Sequence, residues 1–177
     1  SVGGFTNGVS ALEMAKGYAT IKNDGGYRNP TCIIKITDAD GQVLYQADQT
    51  ASVVYKENAC RQMTDMLQTV ITSGTGRGYS LGNMPCAGKT GTTNDNKDGW
   101  FVGYTPYYTT SVWVGYDIPK EVPGLGGGTY PGKIWYAFMS WLHEGLEPID
   151  FVHPLDQTLT DLGQTNTTEN ALPETGE

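Results

Sequence analysis

The sequence predicts an α+β fold, an antiparallel sheet flanked by helices, and three observations carry that prediction. A capped helical segment begins near residue 10. A second helical segment over residues 55–73 has a one-sided apolar stripe. Between residues 86 and 116, three β-prone runs follow one another across short loops, the pattern of an antiparallel meander. At 177 residues the chain accommodates one domain with a real core and would be crowded as two.

In chain order, Ser10-Ala-Leu-Glu13 has the form of a capping box, in which the hydroxyl accepts from a free amide and Glu13 reaches back to the cap amide. Val9 and Met14 are spaced as a hydrophobic staple. Met14, Tyr18 and Ile21 follow at helical intervals, and Asn23-Asp-Gly-Gly26 ends the helix with residues that tolerate positive φ. The runs 31–37 and 42–46 flank Asp38-Ala-Asp-Gly41, which predicts a hairpin. In the helix over 55–73, Ala59, Met63, Met66, Leu67, Val70 and Ile71 form a stripe expected to face the core, and Gly74 ends it. The strands come from 86–93, 100–105 and 109–116. A last helix is expected over 131–143, with Pro131 in its first turn and Ile134, Phe138, Trp141 and Leu142 on one apolar face. Residues 1–155 form the folded body. From 156 to 177 the chain has no aromatic or basic residue and reads as a flexible acidic tail.

The net charge of −8 belongs to the C-terminal stretch, because all 11 Lys and Arg lie at or before Lys133. No basic cluster suggests nucleic acid. No run approaches the roughly 20 apolar residues of a membrane span. Cys32, Cys60 and Cys86 have neither metal-ligand nor redox-motif spacing and are read as buried apolar residues. His143 and His153 lack a triad-like context and are read as structural. Trp100, Trp113, Trp135 and Trp141 are read as core. The Ser1-Val-Gly-Gly start lacks an initiator Met and a signal-peptide pattern, which predicts that these residues continue a longer polypeptide.

Three features resemble sites. The glycine-rich run 72–78 follows a helix, whereas phosphate loops precede one, so it reads as a connection. Gly88-Lys-Thr90 spells the end of a nucleotide-binding loop, but Asn83 stands where that pattern needs glycine. The third is Lys89-Thr-Gly-Thr-Thr93 on a strand edge, followed by an aromatic strand. An ammonium beside hydroxyls suits a substrate carboxylate, and Gly91 leaves room for its approach.

That motif resembles the Lys-Thr-Gly element of serine penicillin-recognising enzymes. The run Gly8-Val-Ser-Ala-Leu-Glu-Met-Ala15, the segments Thr72-Ser-Gly-Thr-Gly76 and 87–98, Trp100-Phe-Val-Gly-Tyr-Thr-Pro106 and Val112-Trp-Val-Gly-Tyr-Asp117 appear in order. Together they resemble the C-terminal part of the transpeptidase domain of class A, bifunctional penicillin-binding proteins, over residues 1–153. The resemblance implies the penicillin-binding transpeptidase, serine β-lactamase-like fold. It implies substrate binding by Lys89, Thr90, Gly91 and Thr92, with the Thr92 backbone N–H as an oxyanion donor. It implies no metal or cofactor. The implied substrate is a peptidoglycan stem peptide, with β-lactams as mimics, at the outer face of the bacterial cell membrane.

The family's S-x-x-K and S-x-N motifs are missing from this sequence. None of Ser1, Ser10, Ser52, Ser73, Ser80, Ser111 and Ser140 has Lys three residues on or Asn two residues on. Tyr27-Arg-Asn29 imitates a variant of the second motif after a helix-ending glycine pair and is set aside. The nucleophile is therefore expected on an N-terminal remainder of the same protein, which also carries the membrane anchor. Leu172-Pro-Glu-Thr-Gly176 spells a sorting signal, which leaves a non-catalytic surface module as an alternative. A β-lactamase-like hydrolase is the other.

Overall fold

A computed structural model of the chain describes residues 8–154. The expected tail with its 172–176 motif lies outside the described residues. Helix α1 (Ala11–Lys22) begins at the capping box, with Glu13 N–H donating to Ser10 Oγ at 3.2 Å and Ser10 N–H to Glu13 Oε2 at 2.8 Å. These bonds hold the Glu13 carboxyl below the usual carboxylate range. The helix ends where Asp24 and Gly25 take φ values of 53° and 86°. A side chain at Gly25 would overlap the Tyr55 backbone, so glycine is required there.

Strand β1 (Gly26–Tyr27) pairs antiparallel with β4 (Ser52–Val53), and β2 (Lys35–Thr37) with β3 (Val43–Gln46) as the expected hairpin. The Asp38 carboxylate closes its turn by accepting from Asp40 N–H at 3.0 Å and Gln42 N–H at 2.8 Å. The first arm is shorter than its β-prone run. Thr31 Oγ1 accepts from Ile33 N–H and donates to the Ile33 carbonyl, which turns the backbone before pairing begins. Cys32 lies in that irregular segment and is exposed, against expectation. Cys60 and Cys86 are buried, and burial pushes both thiols up.

Helix α2 (Glu57–Thr72) is tied to the end of α1 by Arg61, which pairs with Asp24 at 2.9 Å and with Glu57. Its buried residues are Cys60, Thr64, Leu67 and Ile71, whereas Ala59, Met63 and Met66 of the expected stripe are exposed. Thr64 explains the rotation. Its hydroxyl meets the Cys60 carbonyl at 3.0 Å and Tyr104 Oη at 2.9 Å, so a polar residue takes a core position.

Strands β5 (Ala87–Thr92), β6 (Asp98–Tyr104) and β7 (Thr109–Gly115) form the expected antiparallel meander. On one face Leu67, Ala87 and Tyr104 cluster with Tyr18 of α1 and Phe151. On the other, Phe101 and Cys86 pack with Ile71 and with Trp135 and Met139 of helix α3 (Tyr130–Leu142). The α3 face differs from expectation. Pro131, Gly132, Trp135 and Met139 are buried, while Ile134, Phe138 and Trp141 are exposed, Trp141 at 63%. Glycines in β6 select the buried face. A Cβ at Gly103 would stand 2.7 Å from the Trp135 ring, and one at Gly99 would strike Leu125 and Pro131. Of the four tryptophans, only Trp135 is fully buried.

Buried His143 is structural, as expected. A carbonyl only accepts, so Nδ1–H donates to Met139 O at 2.7 Å, and Nε2 takes the Thr105 hydroxyl at 2.8 Å. Thr105 Oγ1 in turn accepts from the N–H groups of Tyr107 and Tyr108, which fixes the β6–β7 turn.

Tyr104 is fully buried, and burial pushes its phenol up to about 12. Above pH 10 the unfolded tyrosine sheds its proton while the folded one keeps it, so stability is complete below pH 10 and falls up to about pH 12. Urea unfolding at pH 8 and pH 11 should show this loss in the wild type. Tyr104→Phe should cost only about 0.5–1.5 kcal/mol at pH 8 and should flatten the alkaline arm. Equal alkaline slopes in the two proteins would contradict the assignment.

Candidate active site

Strand β5 carries Lys89, Thr90, Gly91 and Thr92, and among the described residues it pairs only with β6. The Thr93 N–H donates to the Asp98 carbonyl at 3.0 Å, which sets the alternation of the ladder. Lys89 and Gly91 therefore bond across to Val102 and Trp100. Thr90 and Thr92, opposite Phe101 and Gly99, turn their N–H and C=O groups to the open edge. Among the described residues, no acceptor outside the ladder meets either N–H. Lys89 Nζ donates to the Thr90 carbonyl at 2.7 Å, which brings the ammonium to that same edge.

The side chains alternate as well. Lys89 and Gly91 lie on the face of Ala87 and Tyr104, whereas Thr90 and Thr92 lie on the face of Phe101. The ammonium and the two hydroxyls therefore share an edge of the strand rather than one face. Gly91 stands where a Cβ would come 3.2 Å from the Trp100 Cβ, so the glycine also relieves crowding inside the sheet.

The run Asn94–Asp98 divides into two roles. Asp98, half-buried, bonds back to its own strands: its carboxylate accepts from Thr93 Oγ1 at 3.0 Å and Trp113 Nε1 at 3.0 Å, while its N–H donates to Thr93 Oγ1 at 2.8 Å. Asp95 and Lys97 form an exposed pair at 3.1 Å, in a turn where Asp95 and Asn96 have φ of 58° and 50°.

Two distant segments reach β5 that sequence reasoning does not assign to the site. Thr75, in the run read as a mere connection, has its Oγ1 2.6 Å from Thr90 Oγ1. The loop 124–129 crosses the sheet, and Gly127 N–H donates to Thr92 Oγ1 at 3.0 Å. A Cβ at Gly127 would fall 2.5–2.7 Å from Trp100 O and from Gly91 N and O. The concentration of glycine in Gly124-Leu-Gly-Gly-Gly-Thr129, between a strand and a helix, is the signal that marks such a close backbone approach.

Residues 2–140 match the family model described as penicillin binding protein transpeptidase domain. The chain is 40% identical over 135 residues to penicillin-binding protein 4 of Bacillus subtilis, covering 76% of this chain and 22% of that protein. It is 39% identical over 148 residues to penicillin-binding protein 1A of Neisseria meningitidis, covering 79% and 18%. The structure of penicillin-binding protein PonA1 from Mycobacterium tuberculosis aligns with a TM-score of 0.74 at 33% identity, over 82% of this chain and 41% of that one. PonA1 has also been solved in complex with penicillin V, with a TM-score of 0.72 to this chain. The chain thus spans about a fifth of the length of these curated relatives.

The ladder alternation has a measurable consequence. Amide hydrogen exchange should be slow at Gly91 and Thr93, whose N–H groups lie within the ladder, and fast at Thr90 and Thr92. Equal protection at all four amides would mean a different register.

Proposed function

The chain belongs to the penicillin-binding protein transpeptidase family, and on that premise we propose that it forms one wall of a serine D,D-transpeptidase site. The observation that carries this reading is the open edge of β5, where the Thr92 N–H stands free of the ladder beside Lys89. The proposed substrate is a peptidoglycan stem peptide ending in D-Ala-D-Ala. The nucleophilic serine is proposed to lie on the N-terminal remainder of the polypeptide, within S-x-x-K, with S-x-N nearby.

In the first step the serine oxygen bonds to the penultimate carbonyl carbon, and the bond to the terminal D-Ala nitrogen breaks as that nitrogen gains the proton lost by the serine hydroxyl. In the second, an amine from a neighbouring strand attacks the ester and returns the serine hydroxyl. The contribution of this chain is electrostatic. Lys89 leaves the Thr90 carbonyl to meet the terminal carboxylate, and Thr90 and Thr92 add hydroxyls on the same edge. The Thr92 N–H donates to the carbonyl oxygen as negative charge grows on it. A β-lactam follows the first step and stops there. No metal or cofactor enters this scheme.

The site is proposed to face outward from the cell membrane, held by an anchor elsewhere on the polypeptide; no helix among the described residues is long and apolar enough to cross a membrane. The remainder is also proposed to complete the fold of the 1–155 region. Strand β7 has a partner on one side only among the described residues, and Ile134, Phe138 and Trp141 lie exposed.

Two outcomes test this reading. The isolated chain, incubated with a fluorescent penicillin, should show no covalent adduct by intact mass; a stable adduct on it would relocate the nucleophile. In the complete protein, Lys89→Ala should slow acylation by carboxylate-bearing β-lactams by roughly 10- to 150-fold, the equivalent of one charge-assisted hydrogen bond. An unchanged acylation rate would remove Lys89 from the site.

A further inference from the structure

We infer that Gly127 is a positioning residue for the Thr92 hydroxyl, and that the loop 124–129 is a strap built to hold that contact; this rests on the proposed placement of Thr92 at the substrate. A hydroxyl has one proton to donate and two acceptor sites. Gly127 N–H occupies one acceptor site of Thr92 Oγ1 at 3.0 Å and so fixes the side-chain rotamer. Thr92 is exposed and no protein acceptor takes its proton among the described residues. The hydroxyl is thus left as an oriented donor facing solvent, and the ligand it suits is an anionic oxygen such as a carboxylate.

The strap reaches this position only as bare backbone. Gly127 lies against the backbone of the Gly91–Trp100 pair, where Gly91 has no side chain and that of Trp100 points to the other face of the sheet, and between the side chains of Thr90 and Thr92. Any Cβ would meet backbone atoms, which cannot swing aside as a flexible side chain can. Its neighbours pin it down. Tyr79 Oη donates to the Gly128 carbonyl at 2.7 Å, and the Tyr79 ring packs edge-on against Phe101 at 5.4 Å. Thr129 Oγ1 accepts from Gly126 N–H at 2.9 Å and donates to the Gly126 carbonyl at 2.7 Å. Leu125 is buried against the hollow at Gly99. The strap thus connects the core on the Phe101 face to the Thr92 hydroxyl.

The test uses the complete protein and separates penicillin binding from the acylation rate. Thr92→Val keeps the backbone N–H and removes the hydroxyl, and should slow acylation about tenfold. Gly127→Ala displaces the strap and should produce a similar loss. Tyr79→Phe releases the strap at Gly128 while keeping the ring, and should slow acylation about three- to tenfold even if the alanine variant folds poorly. The decisive readout is coupling: in a Thr92→Val background, Gly127→Ala and Tyr79→Phe should add nothing further to the loss of acylation rate. A general loss of fold would slow both backgrounds equally, and additive effects would overturn the inference while leaving Thr92 in the site. If Thr92→Val acylates at the wild-type rate, the hydroxyl has no role in binding and both this inference and that part of the site reading fail. If Thr92→Val is slow while both strap variants are unimpaired, only the strap is overturned.

Discussion

The hydrogen bond from Thr93 N–H to the Asp98 carbonyl sets the parity of the β5–β6 ladder, and the rest of the site depends on that parity. With this pairing, Thr92 opposes Gly99 and its N–H leaves the sheet at the open edge. A slip of one residue would turn that N–H into the ladder and would exchange the faces of Lys89 and Thr90. The connection is braced against such a slip by Thr93 and Trp113, which both bond the Asp98 carboxylate. Asp98 is thus a register lock.

Packing carries the same constraint to the two faces of the sheet. Tyr104 and Leu67 secure the Lys89 face, and Phe101, Trp135 and Met139 secure the threonine face. On the second face the close contacts are made by glycines: Gly103 admits the Trp135 ring, and Gly99 admits Leu125 and Pro131. Trp135 also donates from Nε1 to the Gly103 carbonyl at 3.3 Å, which satisfies the polar edge of the ring inside the core. Small residues in the sheet therefore decide how α3 is turned and where the strap before it lies.

Local signals were legible in the sequence wherever the physics was local. The capping box at Ser10 and Glu13 and the Asp38 turn depend on residues within a few positions of one another, and the meander joins neighbouring strands through short loops. The buried faces of α2 and α3 depend instead on distant partners. In α2 the hydroxyl of Thr64 enters the core because Tyr104, forty residues on, offers it a partner. In α3 the glycines of β6 receive Pro131 and Trp135 and so turn Ile134 and Phe138 outward, and hydropathy along the helix carries no record of those hollows. The same holds at the site. Lys89, Thr90, Gly91 and Thr92 are contiguous and stand out as a motif, but Thr75 and Gly127 meet them only through tertiary contact. Glycine-rich runs at 72–78 and 124–128 advertise close approach without saying to what.

The Thr92 N–H, set free of the ladder by the register of β5, is proposed as a donor to the reacting carbonyl. A crystal structure of the complete protein acylated by a penicillin measures this directly. The acyl carbonyl oxygen should lie about 2.7–3.1 Å from Thr92 N. An acyl carbonyl turned to solvent or to other donors, with the Thr92 N–H unoccupied or returned to the ladder, would contradict it.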